Sequence, residues 1–183
     1  MYWDKVGEEN TDRTIELAVK RARELKIQHM VVASCSGESA LKFADKGLDL
    51  TCVTHHVGFA EPGVDEMSEE MRQKLVGMGI KVLTTTHLMA GIDRAARLQF
   101  GGVYPAEIVA QTLRMFGQGV KVAVEVASMA KDAGMIPHDT EVVSIGGTAK
   151  GVDAAIVILP AHSNRFFESQ IREIICMPRN KTR

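Results

Sequence analysis

The segment Met30-Val31-Val32-Ala33-Ser34-Cys35-Ser36-Gly37-Glu38-Ser39-Ala40 passes from a short apolar stretch, through hydroxyls and a glycine, directly into a helical pattern. At a helix N-terminus several backbone N–H groups lack intrahelical partners and the macrodipole adds partial positive charge. Such a turn attracts phosphate or carboxylate without any Lys or Arg. Ser34, Ser36 and Ser39 add hydroxyl donors, and Gly37 permits close backbone approach. The plainer alternative is an ordinary strand-to-helix turn in which Ser36 caps the helix. The stretch lacks the Gly-Lys-Ser/Thr ending of a Walker A loop and the three spaced glycines of a dinucleotide fingerprint. Cys35 sits where a helix N-terminus can lower a thiol pKa, but no basic residue adjoins it, so an inert side chain is expected.

Three other stretches carry comparable chemistry: Thr54-His55-His56-Val57-Gly58-Phe59, Thr85-Thr86-His87 and Gly146-Gly147-Thr148-Ala149. His55, His56 and His87 are candidates for general acid or base, since imidazole titrates near neutrality. No metal site is expected. Neighbouring residues on extended chain point to opposite faces, which separates His55 from His56, and no carboxylate at helix spacing completes a ligand set. Phe59, Phe100 and Tyr104 flank glycine-containing loops, among them Gly101, and either stack on a planar ring or anchor those loops. The stretch from Thr84 to Pro105 is long for a loop, and its Arg94 and Arg97 are the cations placed to close over a phosphate.

The elements that position these residues alternate. Asn10-Thr11-Asp12 caps an amphipathic helix with Ile15, Ala18, Val19, Ala22 and Leu25 on one face. Strands are expected at Met30–Ala33, Leu50–Thr54 and Lys81–Thr84, separated by helices at Gly37–Asp45 and Ser68–Val76, which implies a parallel sheet covered on both faces. Pro105 opens a helical pattern reaching Ala133, with Ile108, Val109, Leu113, Phe116, Val120, Ala123, Ala127 and Ala130 toward the core and a kink or break at Gly117 and Gly119. Strands follow at Glu141–Ile145 and Ala154–Leu159. The loop between them is too short for a crossover helix, so that pair is antiparallel. Arg172–Met177 reads as an edge strand ended by Pro178. In such sheets ligands collect outside the carboxyl ends of the parallel strands, so the four loops are expected to share one rim.

At 183 residues the chain forms one α/β domain, residues 1–183, with no need of staples. Lys and Arg number 22 against 23 acidic residues, a balance that gives no electrostatic reason to bind nucleic acid or an anionic membrane. The basic tail Arg179-Asn180-Lys181-Thr182-Arg183 reads as solvated. No window spans a bilayer, no signal-peptide pattern opens the chain, and three cysteines, odd in number and without metal-type spacing, suit a reducing compartment; a cytoplasmic protein is expected. Homo-oligomerisation is compatible with the composition, through helix 1 or the C-terminal strand.

Asn10-Thr11, the Ala18-Val19 helix, Ser36-Gly37-Glu38-Ser39-Ala40, the Val53-Thr54 strand end, and Asp139 to Gly151 followed by Ala154 to Ile158 resemble the C-terminal domain of pyruvate kinase, where a Ser-Gly-Arg-Ser-like loop binds the phosphate of an allosteric sugar. Over its whole length the chain is similar to a stand-alone family, pyruvate kinase C-terminal-domain-like. Its signature positions resemble Thr54-His55-His56, Phe100-Gly101-Gly102, Gly146-Gly147-Thr148-Ala149 and Pro160-Ala161-His162. The resemblance implies a three-layer α/β/α sandwich, its sheet mostly parallel with an antiparallel strand near the C-terminus, and flavin mononucleotide (FMN) as cofactor, with no reaction assigned. The catalytic barrel of pyruvate kinase is not in this chain, so phosphoryl transfer by that route is not expected. Glu38 stands where the kinase loop has arginine, which favours a monophosphate on a large neutral ring over a bisphosphate.

Three functions are therefore expected in turn. The first is binding of a phosphorylated small molecule such as FMN, with its phosphate on Ser34–Ser39. The second is hydrolysis or isomerisation of a phosphorylated metabolite using His55, His56 or His87. The third is a non-catalytic regulatory module.

Overall fold

The computed structural model describes residues 1–181; Thr182 and Arg183 of the basic tail lie outside the described residues. In chain order the elements are β1 (Tyr2–Trp3), α1 (Thr11–Leu25), β2 (His29–Ala33), α2 (Glu38–Leu41), β3 (Asp49–Val53), α3 (Glu69–Gly77), β4 (Lys81–Leu83), α4 (Gly91–Phe100), α5 (Pro105–Arg114), α6 (Gln118–Asp132), β5 (Val142–Gly146), β6 (Ala154–Leu159) and β7 (Gln170–Pro178). The strands form one sheet in the order β1-β7-β6-β5-β2-β3-β4. Only β6 runs against the others, antiparallel to both β5 and β7, as the short Gly146–Gly151 connection requires.

Side-chain alternation along the strands divides the interior into two layers. Met30, Val32, Leu50, Cys52, Val143, Ile145, Ala155 and Val157 face α1, α2 and α3. Val31, Val142, Ala154, Ile156 and Ile158 face α6 and its neighbours. Both faces of the central strands are covered, which is why they read as unbroken apolar runs. No helix among the described residues is long and apolar enough to cross a membrane.

Several local expectations are corrected. Asn10 does not cap α1: its side-chain amide donates to the Lys5 and Gly7 carbonyls, and Leu25 is exposed. The helix after the serine turn is a single turn, Glu38–Leu41, continued by tight turns to Gly47. The Pro105–Ala133 pattern is two helices. Gly117 breaks it at φ +106°, while Gly119 lets α6 approach β6 so closely that a Cβ there would collide with Asp153 and Ala154. Val120, Ala123, Ala127 and Ala130 are buried as expected, but Ile108 and Phe116 are exposed. The stretch from Thr84 to Pro105 is not loop throughout: it holds α4, none of whose residues is buried.

The C-terminal strand is not an edge either. β1 pairs with it in parallel, Tyr2 beside Met177 and Trp3 beside Pro178, and the Trp3 indole N–H donates to the Asp153 carbonyl at 2.7 Å. The two-residue β1 carries no periodicity by which it could be recognised.

Truncation of a fully buried sheet residue should cost far more than truncation on α4. Met30→Ala is expected to lower stability by about 2–5 kcal/mol. Leu98→Ala, on the exposed helix, should stay within about 0.5 kcal/mol of the parent in urea unfolding.

Candidate functional site

β2 and β3 pair in parallel with Ala33 beside Val53, and the ladder continues one step as the Ser34 N–H donates to the Val53 carbonyl at 3.0 Å. Cys35 and His55 each follow two residues later, so they come level with one another at the carboxyl rim. Both open onto a cavity of about 1010 Å3 between this rim and helices α4, α5 and α6.

One wall of the cavity is made of rings. His55 lies over Phe59 with centroids 3.8 Å apart and a tilt of 32°, and His87 stands edge-on to His55 at 5.1 Å. His56 completes the cluster, 5.6 Å from Phe59 and 5.4 Å from His87, and its Nδ1 contacts the Val57 carbonyl at 2.8 Å. The Arg94 guanidinium sits over the Phe59 ring, 5.5 Å from its centroid, a cation–π contact. His55 Nδ1 is 2.6 Å from Glu66 Oε2, a carboxylate on the loop ahead of α3.

The helices facing this wall bring charge. Four cations, Arg94, Arg97, Arg114 and Lys121, line the cavity with two carboxylates, Glu107 and Glu125. Arg97 pairs with Glu107 and Lys121 with Glu125, while Arg94 and Arg114 have no carboxylate partner among the described residues. The Lys121–Glu125 pair is buried, and Glu125 also accepts the Met89 backbone N–H at 2.7 Å. Sequence reasoning missed this pair, although two opposite charges four apart in an apolar helix were a visible signal.

Burial pushes His87 down to about 4 against the partial opposition of Glu125, with His55 and Lys121 acting in the same direction as burial. It is a neutral imidazole at pH 7. Burial likewise holds the Cys35 thiol up at about 11, so the helix terminus does not activate it.

The four loops do not all reach the cavity. From the serine turn only Cys35 lines it. Ser34 is buried and accepts the Ala40 N–H at 3.4 Å; Ser36 is exposed and accepts from Glu38; Ser39 is buried. The close approach that Gly37 permits is to α3: at φ +88° a Cβ would lie 2.5 Å from Met71 Cγ. Thr54 is buried but lines the cavity, its hydroxyl donating to the His55 carbonyl and sharing a 2.7 Å hydrogen bond with Thr84. Gly58 donates its N–H to Val64 in a turn behind the rings. Thr86 is exposed beside Gly91. Phe100 and Gly101 are exposed and outside the cavity, which Gly102 and Val103 line instead.

The Gly146-Gly147-Thr148-Ala149 turn packs elsewhere. A Cβ on Gly146 would strike the start of α6, and one on Gly147 would strike Gly151. Beside it the buried Asp153 accepts the Gly7 N–H at 2.9 Å. After the turn the exposed Lys150 pairs with Glu8 at 3.1 Å, and Glu8, then Glu38, raises its pKa.

Two expectations follow. Between about 4 and 6.5 only the unfolded chain protonates position 87, so His87 adds stability present above pH 6.5 and lost as pH falls toward 4. Replacing His87 with Asn should flatten that part of the stability–pH curve in chemical denaturation. Glu125→Gln strands a buried ammonium and should cost about 3–5 kcal/mol by the same measurement.

Residues 12–158 match the sequence model of the pyruvate kinase alpha/beta domain. The match starts within α1 and ends in β6, enclosing the ring cluster, the serine turn and the Gly146–Ala149 turn. The chain belongs to the pyruvate kinase alpha/beta domain family.

Proposed function

We propose that this domain binds a phosphorylated small molecule bearing a planar ring, FMN being the candidate ligand, at the rim formed by β2, β3 and β4. The observation that carries the reading is the wall of His55, Phe59 and His87, which edges a cavity large enough for a tricyclic ring and leads through Cys35 to the serine turn. Ring faces of this kind accept a flat heteroaromatic by offset stacking or edge contacts. Arg94, already lying on Phe59, closes the same pocket from α4. The phosphate goes to the exposed side of the serine turn at Ser36 and Glu38, where the Glu38 carboxylate opposes a monophosphate less than it would a bisphosphate.

Family membership supports a regulatory module, and the ionisation states agree with binding over chemistry. A thiol at about 11 is not a nucleophile at pH 7, and an imidazole at about 4 is a weak base there. The acid–base alternative therefore rests chiefly on His55, which Glu66 orients.

Fluorescence quenching of added FMN should report saturable binding. Arg94→Ala should weaken it about tenfold through the lost pocket cation, and Ser36→Asp by about as much through like-charge repulsion at the turn. Glu38→Arg should tighten it. Absence of saturable binding removes the FMN assignment. Loss in Arg94→Ala with none in Ser36→Asp moves the phosphate from the turn into the cavity.

A further inference from the structure

Cys35 and His55 stand level on neighbouring strands, and Glu66 arrives beside them from the loop ahead of α3. One donor atom from each, the Cys35 Sγ, a ring nitrogen of His55 and a carboxylate oxygen of Glu66, lies within 4.8 Å of the other two. The 2.6 Å contact between His55 Nδ1 and Glu66 Oε2 already brings imidazole and carboxylate together. Thiolate, imidazole and carboxylate are the three donor types of zinc sites, with metal–ligand bonds of about 2.0–2.3 Å.

We infer that Cys35, His55 and Glu66 bind one divalent transition-metal ion of the zinc class, leaving a fourth coordination position open to the cavity. The thiolate selects a soft or borderline cation over magnesium or calcium. The open position follows from the lining: Cys35 and His55 line the cavity, whereas Glu66 is exposed and does not. Three protein ligands with one exchangeable position is the arrangement of zinc centres that handle water or a substrate oxygen.

Charge and proton balance close. On binding, the Cys35 S–H bond breaks, its electron pair goes to the metal and the proton leaves to solvent. His55 contributes a neutral nitrogen and Glu66 an anionic oxygen, and no atom changes oxidation state. The two anionic donors offset the two positive charges of the ion. The His55 backbone N–H faces the sulfur and favours its anion, whereas burial and Glu66 disfavour it; a dication at bonding distance reverses the balance. This ligand set escapes sequence reasoning because the required carboxylate is neither at helix spacing nor adjacent to a histidine: it lies eleven residues beyond His55.

Cobalt(II) titrated into chelator-stripped protein, with no flavin present, tests the site independently of the ligand reading. One equivalent should bind, with thiolate-to-cobalt charge-transfer absorption and the visible bands of a tetrahedral centre. Cys35→Ser should lose the charge-transfer band. Glu66→Gln should keep it while weakening affinity about tenfold. Circular dichroism checks that both variants fold, and Cys52→Ser should keep the wild-type spectrum. Failure of the unsubstituted protein to bind a stoichiometric ion overturns the proposal. So does a charge-transfer band that survives in Cys35→Ser, which would place the sulfur at another cysteine.

Discussion

The in-register pairing of β2 with β3 governs the chemistry at the rim. Ala33 beside Val53 sets Cys35 beside His55, and a slip of one residue would turn one of the two side chains to the opposite face. Register is strongly specified here because both faces of each strand are buried: Met30, Val32, Leu50 and Cys52 on one side, Val31 and Val53 on the other. The hydrophobic layers thus determine which polar groups meet at the rim.

The rim also shows what a polar cavity demands of its scaffold. Lys121 and Glu125 are nearly inaccessible and satisfy one another and the Met89 amide, since a lone buried charge there would be costly. Burial keeps His87 uncharged beside two other imidazoles. The positive groups without carboxylate partners, Arg94 and Arg114, stand on the helices rather than on the sheet. Rings on the strand ends thus face cations on the covering layer.

Much of this was legible in the sequence. The apolar runs of β2, β3, β5 and β6 and the antiparallel β5–β6 pair followed from strand length and a short connection. The Gly117 break was marked by two glycines in a helical pattern. α4 was not read as a helix although its apolar residues stand on one side, opposite Arg94 and Arg97; they remain unburied, so that face announces no packing partner. Glu66 was not legible because its meeting with His55 depends on where the loop ahead of α3 returns to the rim. Neither was the packing of Gly146 and Gly147. Glycines serve close backbone approach to another element as readily as to a ligand, and only the neighbouring α6 and Gly151 decide between them.

α4 carries a mechanical consequence. It contributes no buried residue and its contacts are chiefly with α5, whereas α5 itself packs on the deeply buried α6 through Val109, Ala110 and Leu113. Lifting α4 alone forfeits little apolar burial and no sheet hydrogen bond, so it belongs to the low-cost end of the local opening spectrum. A guest thus meets a stiff floor and a compliant ceiling, and the entropy surrendered when that ceiling settles is charged against its affinity.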